Sequence, residues 1–479
     1  MKKMRMIVLT FMVIIPLLVT ACAQVVDTPE PVVEEPVVEE PVMPEPEEVE
    51  ELEEPEIDEP EVEEPEVEEP VADILVCEEP VTVGVIADLT GPLAIYGVMS
   101  PRSFMLGMEY ATGVLGSAGE AFDITATQEN VFTTETCEIR VLVRDDSGNP
   151  EQTTSVANEL IDIQNVDILV GSTSSPTTAT LQGIAFDNEI PLIVAPAAAN
   201  DITGADFNVF TFRTSRNNYQ DAINECEALI QEYSTFVQIA MDNSFGRGSA
   251  QAFRDACTEL GGEFVADDIY APADTTDFTP YMEQVLASGA EAYIVTWAGS
   301  GFIPLVQAAT DQGVNEEMEL GTTFIDNTLM PVFYQNAIGT TAGILYHYTA
   351  PDNPINDFLV AGLSGRYGVF PDLFDADAMN AAILVVEALK ATGGDTSGEA
   401  LVEAMEGMSF DGPKGTIYIR PEDHVAIQDM YILTLENLDD PTFDFYSYVD
   451  TTRPEPPCLL PEALVDRCGD LPIGSLGGN

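Results

Sequence analysis

The sequence predicts an α/β protein whose parallel sheets are covered by helices on both faces. Short, mostly apolar runs rich in β-branched residues recur along the chain, as expected of strands buried on both sides. These predicted strands are 81–87, 139–144, 168–170, 192–194, 236–241 and 292–296. Amphipathic segments lie between or after them, among them 151–164, 219–233, 248–260, 279–287 and 303–312. The length of 479 residues leaves room for two such units.

The amino terminus predicts export and attachment to a membrane. Residues 1–22 carry three basic residues and no acid, and their apolar run, residues 6–20, is short for a membrane span. The run leads into Val19-Thr20-Ala21-Cys22, which resembles a bacterial lipobox. This resemblance implies cleavage before Cys22 and a lipid on its thiol, whereas the alternative is an ordinary signal peptide with a chance cysteine. We expect a lipid-anchored protein on the outer face of the cell membrane.

Residues 23–72 predict a disordered acidic stalk. They contain 22 acidic residues and no basic one, in repeats such as Pro60-Glu-Val-Glu-Glu. Proline every five residues removes backbone donors and like charges repel each other, so neither helix nor sheet is favoured. In polyproline II geometry, fifty residues would reach roughly 150 Å from the membrane. An acidic arm that binds cations or a partner is the alternative.

The net charge of −68 excludes nucleic-acid binding, because phosphate would repel so acidic a chain. Residues 73–479 hold 62 acids and 13 bases, and only two of these bases, Lys390 and Lys414, are lysines. The body of the protein is therefore itself at −49. Such a surface is typical of a saline or acidic habitat, where it keeps a protein soluble, or of an extracellular lineage.

The cysteines predict disulfides in an exported protein. Six remain beyond Cys22, and position along the chain favours the pairs Cys77–Cys137, Cys226–Cys257 and Cys458–Cys468. The first pair precedes two predicted strands, the second lies on helices that flank the strand 236–241, and the third closes a short loop. A zinc site is disfavoured, since the chain has no CxxC pair and only two histidines. No metal site is expected.

The loops that follow three predicted strands indicate a binding site for a small solute. In open α/β sheets, ligands bind beyond the carboxyl ends of the strands. The loops 87–97, 171–176 and 195–200 are small, polar and rich in glycine or alanine. They offer backbone N–H groups, hydroxyls and helix starts that suit a carboxylate. Taken singly, each loop also fits a plain helix cap.

Five stretches together resemble a known family. They are VGVIADLTGPLAIYG at 83–97, DDSGNPE at 145–151, NVDILVG at 165–171 followed by Ser174-Ser175, DNSFG at 242–246 and GTIYIRPEDH at 415–424. In this order, over about residues 78–450, the chain resembles the leucine/isoleucine/valine-binding group of solute-binding proteins of ABC importers.

The resemblance implies a type I periplasmic-binding fold. This fold has two Rossmann-like lobes (parallel sheets with helices on both faces) joined by a three-crossover hinge, here preceded by the stalk. We expect lobe 1 to comprise 73–214 and 351–426, and lobe 2 to comprise 215–350 and the return segment 427–450. The crossovers are expected near 213–216, 348–351 and 424–427, and a tail with a local disulfide follows at 451–479.

The resemblance also implies the site residues. Tyr96 would contact the apolar part of the solute, and Ser175, with Ser174 beside it, would hold a carboxylate together with the backbone at Ala197. Phe245 would approach from lobe 2, and Trp297 at a strand end would stack on an aromatic solute or pack at the lobe edge. The full set of candidate residues is Tyr96, Ser174, Ser175, Ala197, Ala199, Phe245, Trp297 and Asp326.

Two departures from the family leave the solute open. The loop Ala197-Ala198-Ala199-Asn200 lacks the threonine that helps to hold an amino-acid head group in relatives. Asp326 is the only acid near the position where relatives place a carboxylate for the α-ammonium, and it comes late. An unpaired ammonium in a desolvated cleft costs several kcal/mol. A branched-chain amino acid, another amino acid, an amide, a urea-like compound and an aromatic carboxylate all remain candidates.

The resemblance implies a monomeric binding protein that is not an enzyme and needs no cofactor. Its partners would be a small-molecule solute, an ABC permease and the membrane. A secreted α/β hydrolase is an alternative, but its Gly-x-Ser-x-Gly motif is missing and the base would have to be His347 or His424. A ligand-sensing receptor ectodomain is the other alternative, and it would need a transmembrane segment after the fold.

Overall fold

A computed structural model describes residues 74–116, 128–299, 301–321 and 326–476. The predicted signal peptide, the lipidation site Cys22 and the stalk at 23–72 lie outside these residues. Among the described residues, no helix combines the length and the apolar character that crossing a membrane requires.

The described residues form seventeen strands and thirteen α-helices. The strands are β1 (Val81–Ala87), β2 (Gln128–Thr133), β3 (Glu138–Asp145), β4 (Ile168–Val170), β5 (Leu192–Val194), β6 (Thr211–Arg213), β7 (Thr235–Met241), β8 (Glu263–Phe264), β9 (Ile269–Ala271), β10 (Ala292–Thr296), β11 (Glu319–Gly321), β12 (Thr341–Ile344), β13 (Ser409–Gly412), β14 (Gly415–Ile419), β15 (Ala426–Ile427), β16 (Met430–Leu435) and β17 (Tyr446–Thr452). The helices are α1 (Ala94–Gly97), α2 (Met99–Thr112), α3 (Pro150–Asp162), α4 (Ser175–Asp187), α5 (Asn218–Leu229), α6 (Ser244–Glu259), α7 (Thr279–Ser288), α8 (Phe302–Asp311), α9 (Val314–Glu317), α10 (Met330–Phe333), α11 (Pro354–Tyr367), α12 (Asp375–Ala391) and α13 (Gly398–Met405).

The first sheet has six strands in the order β2-β3-β1-β4-β5-β6. Its strands are parallel except β2, an antiparallel edge strand paired with β3. All seven residues of β1 are buried, as predicted for a strand covered on both faces. Helices α3 and α4 cover one face, and α2 and α12 cover the other. This sheet with its helices is lobe 1.

The second sheet runs β11-β10-β7-β8, with β9 also paired to β7, and all of its pairings are parallel. Helices α5 and α6 pack on one face, and α7 and α8 pack on the other. This sheet with its helices is lobe 2. The predicted α/β fold class, with two parallel sheets, is therefore confirmed.

The chain passes three times between the lobes. It leaves lobe 1 between β6 and α5, returns between β12 and α11, and leaves again between β15 and β16. Two small antiparallel sheets, β12-β16-β17 and β13-β14-β15, accompany these passes. The passes form the hinge, and residues just after β6 therefore lie between the two lobes.

Helices α2 and α12 pack closely along lobe 1 and enclose charged groups. The Arg102 guanidinium donates to Asp375 through Nε at 2.7 Å and also through Nη2, and both side chains are buried. The Ser103 hydroxyl and the backbone N–H of Asp372 donate to the same carboxylate. Asp375 is also the first residue of α12, where a carboxylate meets the positive end of the helix dipole.

The structure joins the cysteines in the three pairs favoured from the sequence. Cys77 is bonded to Cys137, Cys226 to Cys257 and Cys458 to Cys468. The first pair ties the segment before β1 to the segment before β3, and the second ties α5 to α6. The third closes a ten-residue separation in the tail after β17.

The tail after β17 contacts both lobes. On the lobe 1 side, Arg467 donates to the carbonyl groups of Pro421, at 2.7 Å, and Glu422, at 3.0 Å, and the disulfide packs with Phe207. On the lobe 2 side, the Tyr219 hydroxyl of α5 donates to the Ser475 carbonyl at 2.8 Å. The tail thus spans from one lobe to the other beside the hinge.

Candidate functional site

A cavity lies at the carboxyl ends of the strands, between the two lobes and next to the hinge. It contains about 500 Å³ of space not occupied by protein atoms, part of it open to solvent. The described residues that line it are Leu93, Tyr96, Thr173, Ser174, Ser175, Pro176, Pro196, Ala197, Ala198, Arg216, Met241, Asn243, Phe245, Ala298 and Phe374.

The loop after β1 brings Leu93 and Tyr96 to the cavity. The Asp88 carboxylate accepts hydrogen bonds from the backbone N–H groups of Gly91 and Leu93, and so it fixes the turn. Burial raises the pKa of Asp88, whereas these two hydrogen bonds act to lower it. The Tyr96 ring is buried and meets the Phe374 ring edge-on, with centroids 5.3 Å apart. The two rings form an apolar wall of lobe 1.

The loop after β4 presents hydroxyl groups at the start of α4. Ser174 caps the helix, since its side chain accepts from the backbone N–H of Thr177 at 3.3 Å. Ser175 accepts from the backbone N–H of Ala199 at 3.2 Å, which leaves its hydroxyl proton available to a solute. Pro176 has no backbone N–H and that of Thr177 is taken by Ser174, so the backbone donor at this end of α4 is the N–H of Ser175, at the positive end of the helix dipole. This corner of the cavity suits a carboxylate.

The loop after β5 is fixed by hydrogen bonds on the side away from the cavity. Arg213 donates to the carbonyl groups of Ala197, at 2.9 Å, and Ala199, at 2.8 Å. The Ser215 hydroxyl also donates to Ala197, at 3.1 Å. The carbonyl groups are thus engaged away from the cavity, and Ala197 and Ala198 contribute small side chains to its wall.

Lobe 2 contributes a mostly apolar wall. Met241 ends β7, and Phe245 lies in the first turn of α6. Asn243 caps this helix by accepting from the backbone N–H of Gly246 at 3.0 Å. The Asn218 amide donates to the Phe245 carbonyl at 2.8 Å and so ties the start of α6 to the hinge.

Arg216 forms the hinge side of the cavity and is the one charged residue among the described lining residues. Its Nε donates to Asp221 at 3.1 Å, and its Nη1 donates to the Pro196 carbonyl at 2.8 Å. Its guanidinium carbon lies 5.1 Å from the Phe374 ring centroid. These contacts hold the guanidinium in place at the base of the cleft.

A cluster of buried charges surrounds this arginine. We define the hinge charge cluster as Arg213, Arg216, Lys414, Asp221 and Asp377, all of which are buried. Burial lowers the pKa of Arg213 to about 9 and raises the pKa of Asp221 to about 6, the latter against the attraction of Arg216. Burial also lowers the pKa of Lys414 and raises that of Asp377.

The structure brings five of the eight candidate residues together in the cavity: Tyr96, Ser174, Ser175, Ala197 and Phe245. Ala199 lies one residue behind the lining and donates its N–H to Ser175. Trp297 packs in the core of lobe 2, edge-on to Phe278 at 4.9 Å between centroids. Asp326 lies outside the lining and accepts from the backbone N–H groups of Thr328 and Leu329, and it therefore caps a turn.

Sequence reasoning missed several lining residues, above all Arg216 and Phe374. Phe374 precedes a helix far along the chain, and no pattern near it pointed to the cleft. Arg216 lies at the end of the crossover predicted at 213–216, and no sequence pattern places it in the cleft. The scarcity of basic residues could have served as a signal. The chain has 16 basic and 84 acidic residues, so an arginine at a predicted hinge is a candidate for a functional role.

The two lobes touch across the mouth of the cleft. A side-chain carbon built on Gly299 of lobe 2 would lie 2.7 Å from Leu93 Cδ2 and 2.9 Å from the Pro92 carbonyl of lobe 1. The backbone N–H of Asn327 donates to Asp372 at 3.1 Å, and burial, with Asp326 nearby, raises the pKa of that carboxyl. The described arrangement is therefore a closed one.

Replacing Gly299 by alanine is expected to weaken solute binding about tenfold, because the methyl group would hold the closed lobes apart. The residue also has φ +78°, which costs about 1 kcal/mol for alanine. Gly289→Ala is the matched control, with φ +67° and no atom within 4 Å of the new carbon. The measurements are calorimetric affinity and the radius of gyration in solution. Equal affinities in the two variants would contradict the closed contact.

A two-lobed α/β protein that encloses a cavity at the strand ends of both sheets has the architecture of a solute-binding protein. Residues 80–440 match the family described as periplasmic binding protein. The chain belongs to this family.

The most informative relatives agree with this assignment. The chain is 26% identical over 377 residues to a Leu/Ile/Val-binding protein homolog of Brucella melitensis, an alignment that covers 76% of this chain and 90% of the relative. It resembles the crystal structure of an ABC-type branched-chain amino acid transporter from Rhodopseudomonas palustris, with 31% identity, a TM-score of 0.64, and coverage of 78% of this chain and 96% of the other. An ABC transporter substrate-binding protein from Sphaerobacter thermophilus gives 26% identity and a TM-score of 0.67, covering 78% and 98%.

Proposed function

We propose that this protein captures a small solute in the interlobe cavity and delivers it to an ABC importer without chemical change. The observation that carries the proposal is a cavity lined from lobe 1, lobe 2 and the hinge at once. Solute in such a place contacts both lobes only when they are closed, so binding shifts the population toward the closed form. A permease that docks on the closed form then receives a loaded protein.

The solute would be held at two ends. The Ser175 hydroxyl, the start of α4 and the backbone near Ala197 would bind a carboxylate or a similar polar group, with Ser174 fixing the helix end. Tyr96 and Phe245 would contact the rest of the solute. The wall is mostly apolar. Its described residues include no histidine that could act as the general base of a hydrolase.

The histidines have structural surroundings that support this interpretation. His424 stacks on Phe212 with centroids 3.9 Å apart, and its Nε2 lies 2.9 Å from Glu406. The His347 ring is buried, and burial lowers its pKa to about 3. Neither ring lies in the cavity, which favours a binding protein over an α/β hydrolase.

We also propose the placement of the whole chain. Cys22 would carry the lipid, the segment 23–72 would act as the stalk, and the monomeric binding unit would stand at the outer face of the cell membrane. The lobes would divide at 214, 350 and 426, so that the hinge turns at these three passes. The solute would be a small polar compound: a branched-chain or other amino acid, as the Brucella relative's name suggests, an amide, a urea-like compound or an aromatic carboxylate.

A thermal-shift screen of the full-length chain with leucine, valine, acetamide, urea and benzoate tests the proposal. We expect at least one compound to raise the melting temperature and to be recovered unchanged. The shift grows with concentration, because each tenfold excess over the dissociation constant adds about 1.4 kcal/mol of stability. Conversion of the compound, or no shift with any of them, would contradict a binding protein of this class.

A further inference from the structure

Two carboxylic acids from opposite lobes lie together where the lobes touch. Asp326 follows β11 of lobe 2, and Asp372 precedes α12 of lobe 1. The backbone N–H of Asn327 donates to the Asp372 carboxylate at 3.1 Å, and its side-chain amide donates to the Pro371 carbonyl at 3.3 Å. Both acids are buried, and the charge of Asp326 acts on Asp372. We call these two residues the interlobe acid pair.

The interlobe acid pair carries more negative charge than its surroundings balance. The cation that acts on Asp372 is Arg102 of α2, but Asp375 engages its guanidinium, accepting from Nε at 2.7 Å. Three buried carboxyl groups therefore share one guanidinium. Among the described residues, neither member of the pair forms an ion pair of its own. Two like charges in a buried place without a counter-charge favour protonation of one of them.

The other ionisable groups that face the pair are hydroxyl groups of tyrosines. They belong to Tyr96 of α1, Tyr346 after β12 and Tyr446 of β17. Burial raises the pKa of each of these tyrosines, and Asp372 is among the charges that add to the effect. They are neutral near neutral pH and supply no counter-charge, so the proton of this region belongs to the acid pair.

The protonation of Asp372 depends on whether the lobes are closed. Burial raises its pKa most, and the charge of Asp326 raises it further, while a hydrogen bond from the Leu373 backbone acts to lower it. Because Asp326 belongs to the other lobe, opening removes its repulsion and lets water reach both carboxyl groups. The pKa of Asp372 then returns toward the ordinary value of about 3.9. The closed form therefore holds a proton that the open form releases.

We propose that closing the lobes takes up one proton from the solvent at the interlobe acid pair, so that the protein binds its solute more tightly as the pH falls. The inference rests on the proposed function, and it adds a regulation to the same closing step. Solute and proton both favour the closed form, and each therefore raises the affinity for the other. In acidic surroundings the protein would be loaded at a lower solute concentration.

The affinity should change over a defined range of pH. Below about pH 4 both forms carry the proton, and above the pKa of the closed form neither does, so the affinity is constant in both ranges. Between these limits the affinity falls as the pH rises, by at most about tenfold per pH unit for one proton. We expect a loss of about tenfold or more between about pH 5.5 and about pH 7.5.

Calorimetry on the full-length chain at about pH 5.5, 6.5 and 7.5 measures this dependence. Leucine and benzoate serve as probes, because the net charge of each is nearly constant over this range. Repeating each titration in two buffers with different heats of ionisation counts the protons taken up. We expect a net uptake of at most one proton at the two lower pH values.

Asp372→Asn removes the titrating group. Asparagine keeps an oxygen that can accept from Asn327 and carries no charge, so it resembles the protonated acid. We expect this variant to bind about tenfold more tightly than the unaltered chain at about pH 7.5, with no dependence on pH. Asp167→Asn is the matched control, since burial also raises the pKa of Asp167, but its partners Thr82, at 2.7 Å, and Thr396, at 3.0 Å, both belong to lobe 1. The control should keep the pH dependence of the unaltered chain.

Asp326→Asn tests the pair from the side of lobe 2. Asparagine is as good a cap as aspartate for the turn that Asp326 begins, and it removes the charge that acts on Asp372. We expect the affinity to depend less on pH in this variant than in the unaltered chain.

A measurement without solute separates the inference from the proposed function. The radius of gyration is compared between the unaltered chain and Asp372→Asn at about pH 7.5, where the segment 23–72 is the same in both. We expect the variant to be more compact, and if neither probe binds, this comparison alone decides the inference.

The inference is overturned by an affinity that does not change with pH, by an equal pH dependence in Asp372→Asn, or by equal radii of the two chains. The proposed function has a separate criterion. It stands if any compound of the screen binds and is recovered unchanged, whatever the pH dependence of its binding, and it fails if none binds at any pH.

Discussion

Replacing Tyr96 and Ser175 together by alanine is expected to weaken solute binding by about a hundredfold or more while the protein stays folded. Truncating a buried aromatic contact of a binding site costs about 2 kcal/mol or more. A hydrogen bond to a charged group contributes about 1.5–3 kcal/mol. Each 1.4 kcal/mol changes the affinity about tenfold, so the two losses together exceed two orders of magnitude.

The measurement is calorimetry with the compound that raises the melting temperature most in the screen, alongside circular dichroism to follow the fold. Tyr448→Ala combined with Ser447→Ala makes the same chemical change on β17, away from the cavity lining. The control should bind as the unaltered chain does. An unchanged affinity in the Tyr96 and Ser175 variant would place the solute elsewhere.

Replacing Asp375 by alanine is expected to lower the free energy of unfolding by about 3–5 kcal/mol, because it leaves Arg102 buried without its main partner. The Asp375 carboxylate accepts from Arg102, from Ser103 and from the backbone N–H of Asp372. All of these donors lie inside lobe 1, away from water. Water therefore cannot replace the Asp375 carboxylate as the acceptor of these hydrogen bonds.

Denaturant unfolding of the full-length chain measures this effect, with Glu387→Ala as the control on the same helix. Glu387 is paired with Lys390 at 2.7 Å, and both side chains are partly exposed. An exposed pair of this kind contributes about 0–1 kcal/mol. If the two variants unfolded at similar denaturant concentrations, Asp375 would not stabilise lobe 1 in the way its contacts indicate.

Six of the parallel strands, β1, β3, β4, β5, β7 and β10, could be predicted from the sequence because burial on both faces leaves a continuous apolar run. The parallel strands β6, β8, β9 and β11, of two or three residues each, escaped. The predicted strand at 236–241 differs from β7 by one residue. The antiparallel pieces escaped, since β2 and β17 are largely exposed and carry no such run. Helices α2 and α12 also escaped, because they are buried nearly all round and so lack the amphipathic period by which α3 and α6 could be recognised.

The residues of the candidate site likewise differ in whether a local sequence pattern can reveal them. Hydroxyl and aromatic residues in the segment that follows a strand, such as Ser175 at the start of α4 and Tyr96 in α1, are placed by topology and could be found in the sequence. Trp297 also follows a strand, but its ring packs into the core of lobe 2. Arg216 and Phe374 are 158 positions apart and meet only through the hinge, and no local pattern encodes such a meeting.

The tail that spans from Arg467 on the lobe 1 side to Ser475 against α5 has a practical consequence for recombinant work. A fragment cut after β17 would keep both sheets and the whole cavity lining, and it would look complete by sequence alignment to the matched family range of 80–440. It would nevertheless lose the tail, which links the two lobes beside the hinge. Expression fragments and reporter fusions should therefore retain residues 453–476.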